Sequence, residues 1–422
     1  MRLCVGFRVI DKVLTMDITS LTQRVNLHDR RNLYLAITAP IVAYSVGKLI
    51  HNLVSPPAQR ANRIIRAPRE SLQLLSAQDL EQLPYPPNAL PGGRDVDTPY
   101  GNIRVYEWGP SDGRKVLFVH GISTPCIAFA GIAQRLVEEQ GCRVMLFDLF
   151  GRGYSDTPDP TQMRQDARLF TSQMLLVLAS SPLAWTGPEK FTLIGYSLGG
   201  CISVAFTSYF PHLVESLVLV APAGLIRPYH ISGTSKLLYG GLLPDAVVNY
   251  LIYRRLRAGG SPEPSTNRDQ DKTSLTAVGT GQSETPGHPA HAADSLAPMF
   301  PNRPRISPAG AVGWQLEAHP GFCAAFISSI RYAPTAQQHE SWRLIGRRQA
   351  ASVKGEGQGL MEGKVLILLG EQDRVIISNE VEVDATEALG TENVEVVRLE
   401  GAHDVPITNA RGCVDAISKF WE

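Results

Sequence analysis

Phe191-Thr192-Leu193-Ile194-Gly195-Tyr196-Ser197-Leu198-Gly199-Gly200 runs straight into Cys201-Ile202-Ser203-Val204-Ala205-Phe206. The opening FTLI is a short apolar run, the pattern of a parallel strand covered on both faces. The closing CISVAF continues as a helix. Between them stands G-x-S-x-G, a weak pattern alone and a specific one in this context. A sharp strand-to-helix turn needs small residues on either side of a Ser held in a strained backbone conformation. That turn presents the Ser197 hydroxyl at the C-terminal edge of a sheet and at the positive end of a helix.

The pattern extends in both directions. Upstream, NIRVYEWG alternates like a strand, Lys115–Val119 and Arg143–Asp148 read as further strands, and IAFAGIAQRLVEE has helical spacing. TQMRQDARLFTSQMLLVLAS reads as a long amphipathic helix. Downstream, SLVLVAP ends a strand near Val220. Lys364–Gly370 and Val394–Leu399 then read as strands, and VDAISKFWE as a closing helix. Strands alternating with helices predict a mostly parallel sheet with helices on both faces.

One interruption spans about residues 221–363. Leu242–Leu256 and Gly321–Ala333 are helical in pattern, which predicts an inserted helical lid. Within it, residues 259–310 form a low-complexity loop in which roughly every second residue is Gly, Pro, Ser or Thr and Phe300 is the sole aromatic. So little apolar surface predicts a segment that stays out of the core.

A serine hydroxyl becomes a nucleophile only when a base takes its proton, and the base needs an orienting carboxylate. His403 follows the last strand in Glu400-Gly401-Ala402-His403-Asp404. His288 and His291 fall in the low-complexity loop, and His51 in an apolar N-terminal run. Asp373 follows the strand Lys364–Gly370 at once, with Glu371 as its competitor, whereas the residues after SLVLV (APAGL) offer no carboxylate. Asp404, adjacent to His403, is poorly placed to reach its ring. An oxyanion hole needs two N–H donors aimed where negative charge develops. Leu198, directly after the nucleophile, supplies one, and Ile122 in His120-Gly121-Ile122-Ser123 the other, with Gly121 permitting the tight turn. His120 is expected to brace that loop. Gly195 and Gly199 are the small residues of the elbow.

Asp148-Leu149-Phe150-Gly151-Arg152-Gly153-Tyr154-Ser155 lacks the spacing of either common phosphate-binding loop. With HG after one strand, this D-x-x-G-x-G-x-S after the next, then G-Y-S-L-G-G, G-x-x-D and G-x-H, residues 100–422 resemble the α/β-hydrolase family. The resemblance implies an α/β-hydrolase fold: a mostly parallel eight-stranded sheet, a lid between strands six and seven, and an acyl-serine intermediate. Members with an Asp nucleophile, the epoxide hydrolases and dehalogenases, are disfavoured by Ser197.

The expected activity is hydrolysis of a carboxylic ester, amide or thioester by Ser197, Asp373 and His403, on a hydrophobic small-molecule acyl substrate. Acyl transfer or thioester release in a biosynthetic pathway is an alternative, as is a non-catalytic ligand-binding homologue. Such a triad needs neither cofactor nor metal, and the six cysteines include no C-x-x-C pair. Forty basic residues balance forty acidic ones, so the chain has no general footprint for nucleic acid. A 44% apolar content excludes a wholly disordered chain.

Residues 96–422 are expected to form the hydrolase domain and residues 1–95 an extension. Residues 33–54 of that extension are almost wholly apolar, interrupted by Lys48 and His51, a length and composition that suit a membrane anchor. A Pro/Arg-rich linker follows, with YPPNALPG at 85–92 reading as extended chain. Cysteines in apolar surroundings argue for reduced thiols, hence a cytosol-facing domain on a membrane or, alternatively, a soluble cytoplasmic protein.

Overall fold

The computed structural model describes Gly47 and residues 63–259, 294–300, 302–355, 359–360 and 363–422. The apolar run 33–54 lies outside them except for Gly47, as does the low-complexity loop between 260 and 293. Among the described residues, no helix is long and apolar enough to cross a membrane.

Eight strands form one sheet: β1 Gly93–Thr98, β2 Gly101–Trp108, β3 Lys115–Val119, β4 Arg143–Phe147, β5 Phe191–Tyr196, β6 Val214–Val220, β7 Val365–Gly370 and β8 Val394–Leu399. Their spatial order is β8-β7-β6-β5-β3-β4-β2-β1, antiparallel at β1/β2 and β2/β4 and parallel elsewhere. The mostly parallel eight-stranded expectation holds. Strand β1 escapes sequence reading because GRDVDT, on the sheet edge, alternates only between exposed and half-buried positions.

The buried strands β5 and β7 show why their runs are continuously apolar. Successive side chains point to opposite faces, and each face has its own core. Leu193, Val365 and Ile367 join Phe170 and Met174 of helix α2 (Ala167–Ala179), together with Cys201 and Ile202 of α3 (Leu198–Tyr209). Ile194, Leu366 and Leu368 join Ile132 and Leu136 of α1 (Ala130–Gln140) on the other face, with Val414 and Ile417 of the closing helix Ala410–Trp421. Helix α2 starts later than its sequence pattern because Asp166 caps it, its carboxylate accepting from the Arg168 and Leu169 amides.

The described residues between β6 and β7 include the helices α4 Gly233–Tyr239, α5 Asp245–Gly259, α6 Pro308–Ala318, α7 Phe322–Tyr332 and α8 His339–Val353. Val248, Ile252, Val312, Phe322, Phe326 and Trp342 bury into the first core. The C-terminal end of the expected low-complexity loop behaves differently from its composition. Met299 and Ile306 are buried in the second core, and Ser307 caps α6 by accepting from the Gly310 amide. A few apolar side chains in a Pro-rich stretch suffice when a preformed surface awaits them.

The expected linker also differs. Residues 63–92 are part of the hydrolase body. Ile64–Ile65 pair antiparallel with Thr157–Pro158, Arg66 and Arg69 both bind the buried Asp156 carboxylate, and Leu72, Tyr85 and Leu90 are buried. Proline-rich composition signals extended chain without saying whether that chain docks. Cys126, Cys142, Cys201, Cys323 and Cys413 are unbridged.

Candidate active site

Four loops meet at the C-terminal ends of parallel strands in one half of the sheet. Ser197 follows β5, Asp373 follows β7, His403 follows β8, and Gly121–Ile122 follow β3.

Ser197 has φ 52° and ψ −116°, a left-handed conformation rare for a residue with a Cβ. Its backbone is pinned there. The Ser197 amide donates to Val220 O at 3.1 Å, and its carbonyl accepts from the Gly200 and Ala223 amides at 2.9 and 3.0 Å. The glycines are required by space. A Cβ on Gly195 would collide with Ser203 Oγ and Gly199 O, and one on Gly199 with the carbonyls of Val119 and His120. A Cβ on Gly121 would lie 3.1 Å from Tyr196 Cε1 and 3.5 Å from Ser197 Cβ, so this turn runs directly beside Ser197. Leu198 opens α3, where the first amides have no intrahelical acceptor. The side chains of Ile122 and Leu198 are buried.

The structure brings Ser197, His403 and Asp373 together. Ser197 Oγ lies 3.0 Å from His403 Nε2, and His403 Nδ1 lies 2.8 Å from Asp373 Oδ2. The other oxygen, Asp373 Oδ1, accepts from the Val375 and Ile376 amides, both at 2.8 Å. The carboxylate thus occupies a fixed orientation, and its contact assigns the imidazole proton to Nδ1, leaving Nε2 free to accept. Burial opposes charging of His403, but the charge and hydrogen bond of Asp373 outweigh it and raise its pKa above 6.5. Glu371, the competing acid, is exposed.

Asp404 does not bond the His403 ring. It accepts from the Tyr196 hydroxyl at 2.7 Å, and the Tyr196 ring centroid lies 5.3 Å from that of His403. Burial raises the Asp404 pKa. Tyr196 therefore fastens the loop that carries His403, a role that no spacing in the sequence signals.

His120 is buried, and its Nε2 accepts from the Leu149 amide at 2.8 Å, which places the proton on Nδ1, 2.8 Å from Gly121 O. Burial, with the nearby Arg152 guanidinium, pushes its pKa down to about 3, so it is a neutral brace. That agrees with the bracing role expected of it. Sequence reading passed over Arg152, Gln315 and Ser329, all buried around the same turn. Among the described residues, no cluster of three or more His, Cys, Asp or Glu is arranged to hold a metal ion.

A family model described as alpha/beta hydrolase fold matches residues 115–410. A serine hydrolase-like protein of Danio rerio is 30% identical over 131 residues, 31% of this chain and 38% of that protein. Lipase 1 of Psychrobacter immobilis is 32% identical over 146 residues, 34% of this chain and 42% of that protein. The chain thus spans about two fifths of the length of these curated relatives. Among solved structures, bromoperoxidase from Bacillus anthracis superposes with a TM-score of 0.53 at 16% identity, covering 78% of this chain and 99% of that one. A family match that runs from β3 to the start of the closing helix, on a sheet with this strand order, means that the chain belongs to the α/β-hydrolase fold family.

Proposed function

We propose that the protein is a serine hydrolase that cleaves a carboxylic ester through an acyl-serine intermediate. The observation that carries this reading is the continuous hydrogen-bonded path from Ser197 Oγ through His403 to Asp373, at 3.0 and 2.8 Å. His403 Nε2 takes the hydroxyl proton as Ser197 Oγ attacks the carbonyl carbon. Asp373 stabilises the imidazolium that results. The carbonyl oxygen becomes an oxyanion held by the Leu198 and Ile122 amides. Collapse expels the alcohol, which takes its proton from His403. Water, deprotonated by His403 in turn, then releases the acid and regenerates Ser197. The names of two relatives, a serine hydrolase-like protein and a lipase, support the same reading. The helices between β6 and β7 act as a lid that shapes the acyl pocket.

The test is labelling by a fluorophosphonate. The probe is expected to modify Ser197, and Ser197→Ala to lose both labelling and turnover of p-nitrophenyl esters. Undiminished labelling of the Ser197→Ala protein would refute the assignment.

Residues 33–54 support a membrane-associated enzyme, and the unbridged cysteines support a hydrolase body that faces the cytosol. Ten apolar side chains, from Leu33 to Val54, each favour lipid over water by about 1.5–3 kcal/mol when buried. Lys48 is tolerable near an interface.

A further inference from the structure

Three successive carbonyls beside the nucleophile are each held by a buried side chain. Gly121 O accepts from His120 Nδ1 at 2.8 Å, Ile122 O from Arg152 Nε at 3.0 Å, and Ser123 O from Gln315 Nε2 at 2.9 Å. None of the three side chains is exposed to solvent. They come from separate parts of the chain: His120 from the end of β3, Arg152 from the loop after β4, and Gln315 from helix α6 of the insert.

Arg152 is an unusual way to hold a carbonyl. Its guanidinium donates to Ile122 O, to Phe150 O at 3.0 Å and to Ser329 Oγ of α7 at 2.8 Å, all neutral oxygens. Ser329 is itself committed, its hydroxyl donating to Ala325 O at 2.9 Å, so it meets Arg152 as an acceptor. Gln315 closes the ring, because its Oε1 accepts from the Gly153 amide at 2.7 Å, next to Arg152 in sequence. A buried guanidinium is costly and persists only where every donor is directed. Rotating any peptide of the 121–124 turn would strand one of these buried groups without its partner.

We propose that Arg152 and Gln315, with Ser329 behind Arg152, are positioning residues that aim the Ile122 amide at the developing oxyanion. This rests on the serine-hydrolase reading above and adds that insert helices α6 and α7 belong to the catalytic frame. The logic is preorganisation. An N–H donor stabilises a transition state in proportion to how little it must move when charge develops, and a glycine-containing turn has the freedom to move. His120 fixes the carbonyl on the far side of the peptide that carries the Ile122 amide. Arg152 and Gln315 fix the next two peptides, so the turn cannot relax from its C-terminal side. Burial lowers the Arg152 pKa to about 9, a sign of the cost at which the charge is kept there.

The test compares the full-length wild type with Gln315→Leu, Gln315→Glu, Ser329→Ala and Ser329→Thr. Active sites are titrated with a fluorophosphonate, so that turnover is expressed per competent Ser197. Gln315→Leu and Ser329→Ala are expected to lower kcat per titrated site by about 10- to 100-fold with KM for p-nitrophenyl butyrate changed by less than about threefold. Binding of a trifluoromethyl ketone, which forms the tetrahedral oxyanion on Ser197, should weaken in parallel with kcat. Gln315→Glu keeps the acceptor for Gly153 but loses the donor to Ser123 O, and should share the loss. Ser329→Thr keeps the hydroxyl and should recover most of the Ser329→Ala deficit. A purely architectural role would lower the number of titrated sites and leave kcat per site and ketone affinity at wild-type values; that result overturns the proposal. A wild type that fails to label overturns the serine-hydrolase reading itself, and this proposal with it.

Discussion

The Tyr85 hydroxyl donates to both carboxylate oxygens of Asp148, at 3.0 and 3.2 Å, across 63 residues of chain. Asp148 follows β4 and also accepts from the Cys126 and Tyr154 amides at 3.1 and 2.9 Å. Burial raises its pKa even with these donors in place. The contact joins the segment before β1 to the centre of the sheet and explains why 63–92 cannot be a free linker. Tyr85→Phe removes one donor from a fully buried carboxylate. The expected cost is about 1–3 kcal/mol, read as a lower urea midpoint with unchanged slope. An unchanged midpoint would mean that the two amides alone satisfy Asp148.

The backbone at Ser197 makes a stability prediction separate from activity. At φ 52° and ψ −116°, a Cβ is strained and a glycine is not. Ser197→Gly is therefore expected to be more stable than Ser197→Ala by about 1 kcal/mol or more, although both are inactive. Thermal melts of the two proteins side by side decide it. Equal melting temperatures would show that the elbow stores no strain at this position.

The two carboxylates after β7 separate cleanly. Asp373 is buried with both oxygens engaged, whereas Glu371 faces solvent. Asp373→Asn keeps the shape but favours the wrong imidazole tautomer, and kcat should fall by about 10⁴. Glu371→Gln should change kcat by less than about twofold, since a solvent-exposed charge is screened. Reversed effects would assign the acid to Glu371.

The direction of the His403 shift sets the pH dependence. The attack needs neutral His403, so kcat/KM rises with pH as the ring loses its proton. Since Asp373 outweighs burial and raises the pKa, the acidic limb should have its midpoint above 6.5. Stability runs the other way. A raised folded-state pKa stabilises fully below the unfolded value of about 6.5 and ceases to do so as pH climbs through the folded value. Asp373→Asn should move the kinetic limb to lower pH. A limb that stays in place in that variant would mean that another group sets it.

The clustering of Ser197, Asp373 and His403 was legible in sequence because each sits within a few residues of the end of a recognisable strand. Ser197 is framed by its glycines, Asp373 follows VLILLG, and His403 follows VEVVRL. The clamp on the 121–124 turn was illegible for the opposite reason. Gln315 and Ser329 lie on helices whose apolar content explains itself as core, and nothing in their spacing reveals that Gln315 reaches the turn at Ser123 or that Ser329 reaches Arg152, each well over a hundred and fifty residues away. Arg152 stood inside a recognised motif, but a lone arginine between glycines reads as surface until its burial is seen. Met299 and Tyr85 were hidden by the composition around them, since Pro, Gly and Ser describe the freedom of the unfolded chain and not the surface it meets when folded.

The start of the folded body and the role of the apolar run can be separated by truncation. A chain beginning at Arg63 keeps the Ile64–Ile65 ladder, both arginines on Asp156 and the buried Leu72, Tyr85 and Leu90. It is expected to match the full-length protein in kcat per titrated site. A chain beginning at Gly93 keeps all eight strands yet leaves Asp156 and Asp148 buried without these partners. Breaking such contacts costs several kcal/mol together, so this chain should melt far lower or aggregate. Fractionation of the first two proteins then tests the anchor. Full-length protein should pellet with membranes and resist a high-salt wash, because apolar burial is not screened by ions, whereas the chain from Arg63 should stay in the supernatant. Release of the full-length protein by salt would replace the apolar anchor with the basic residues around it, Arg30, Arg31, Arg60 and Arg63, as the source of attachment. Recovery of the full-length protein in the supernatant as a monodisperse monomer would remove the anchor altogether.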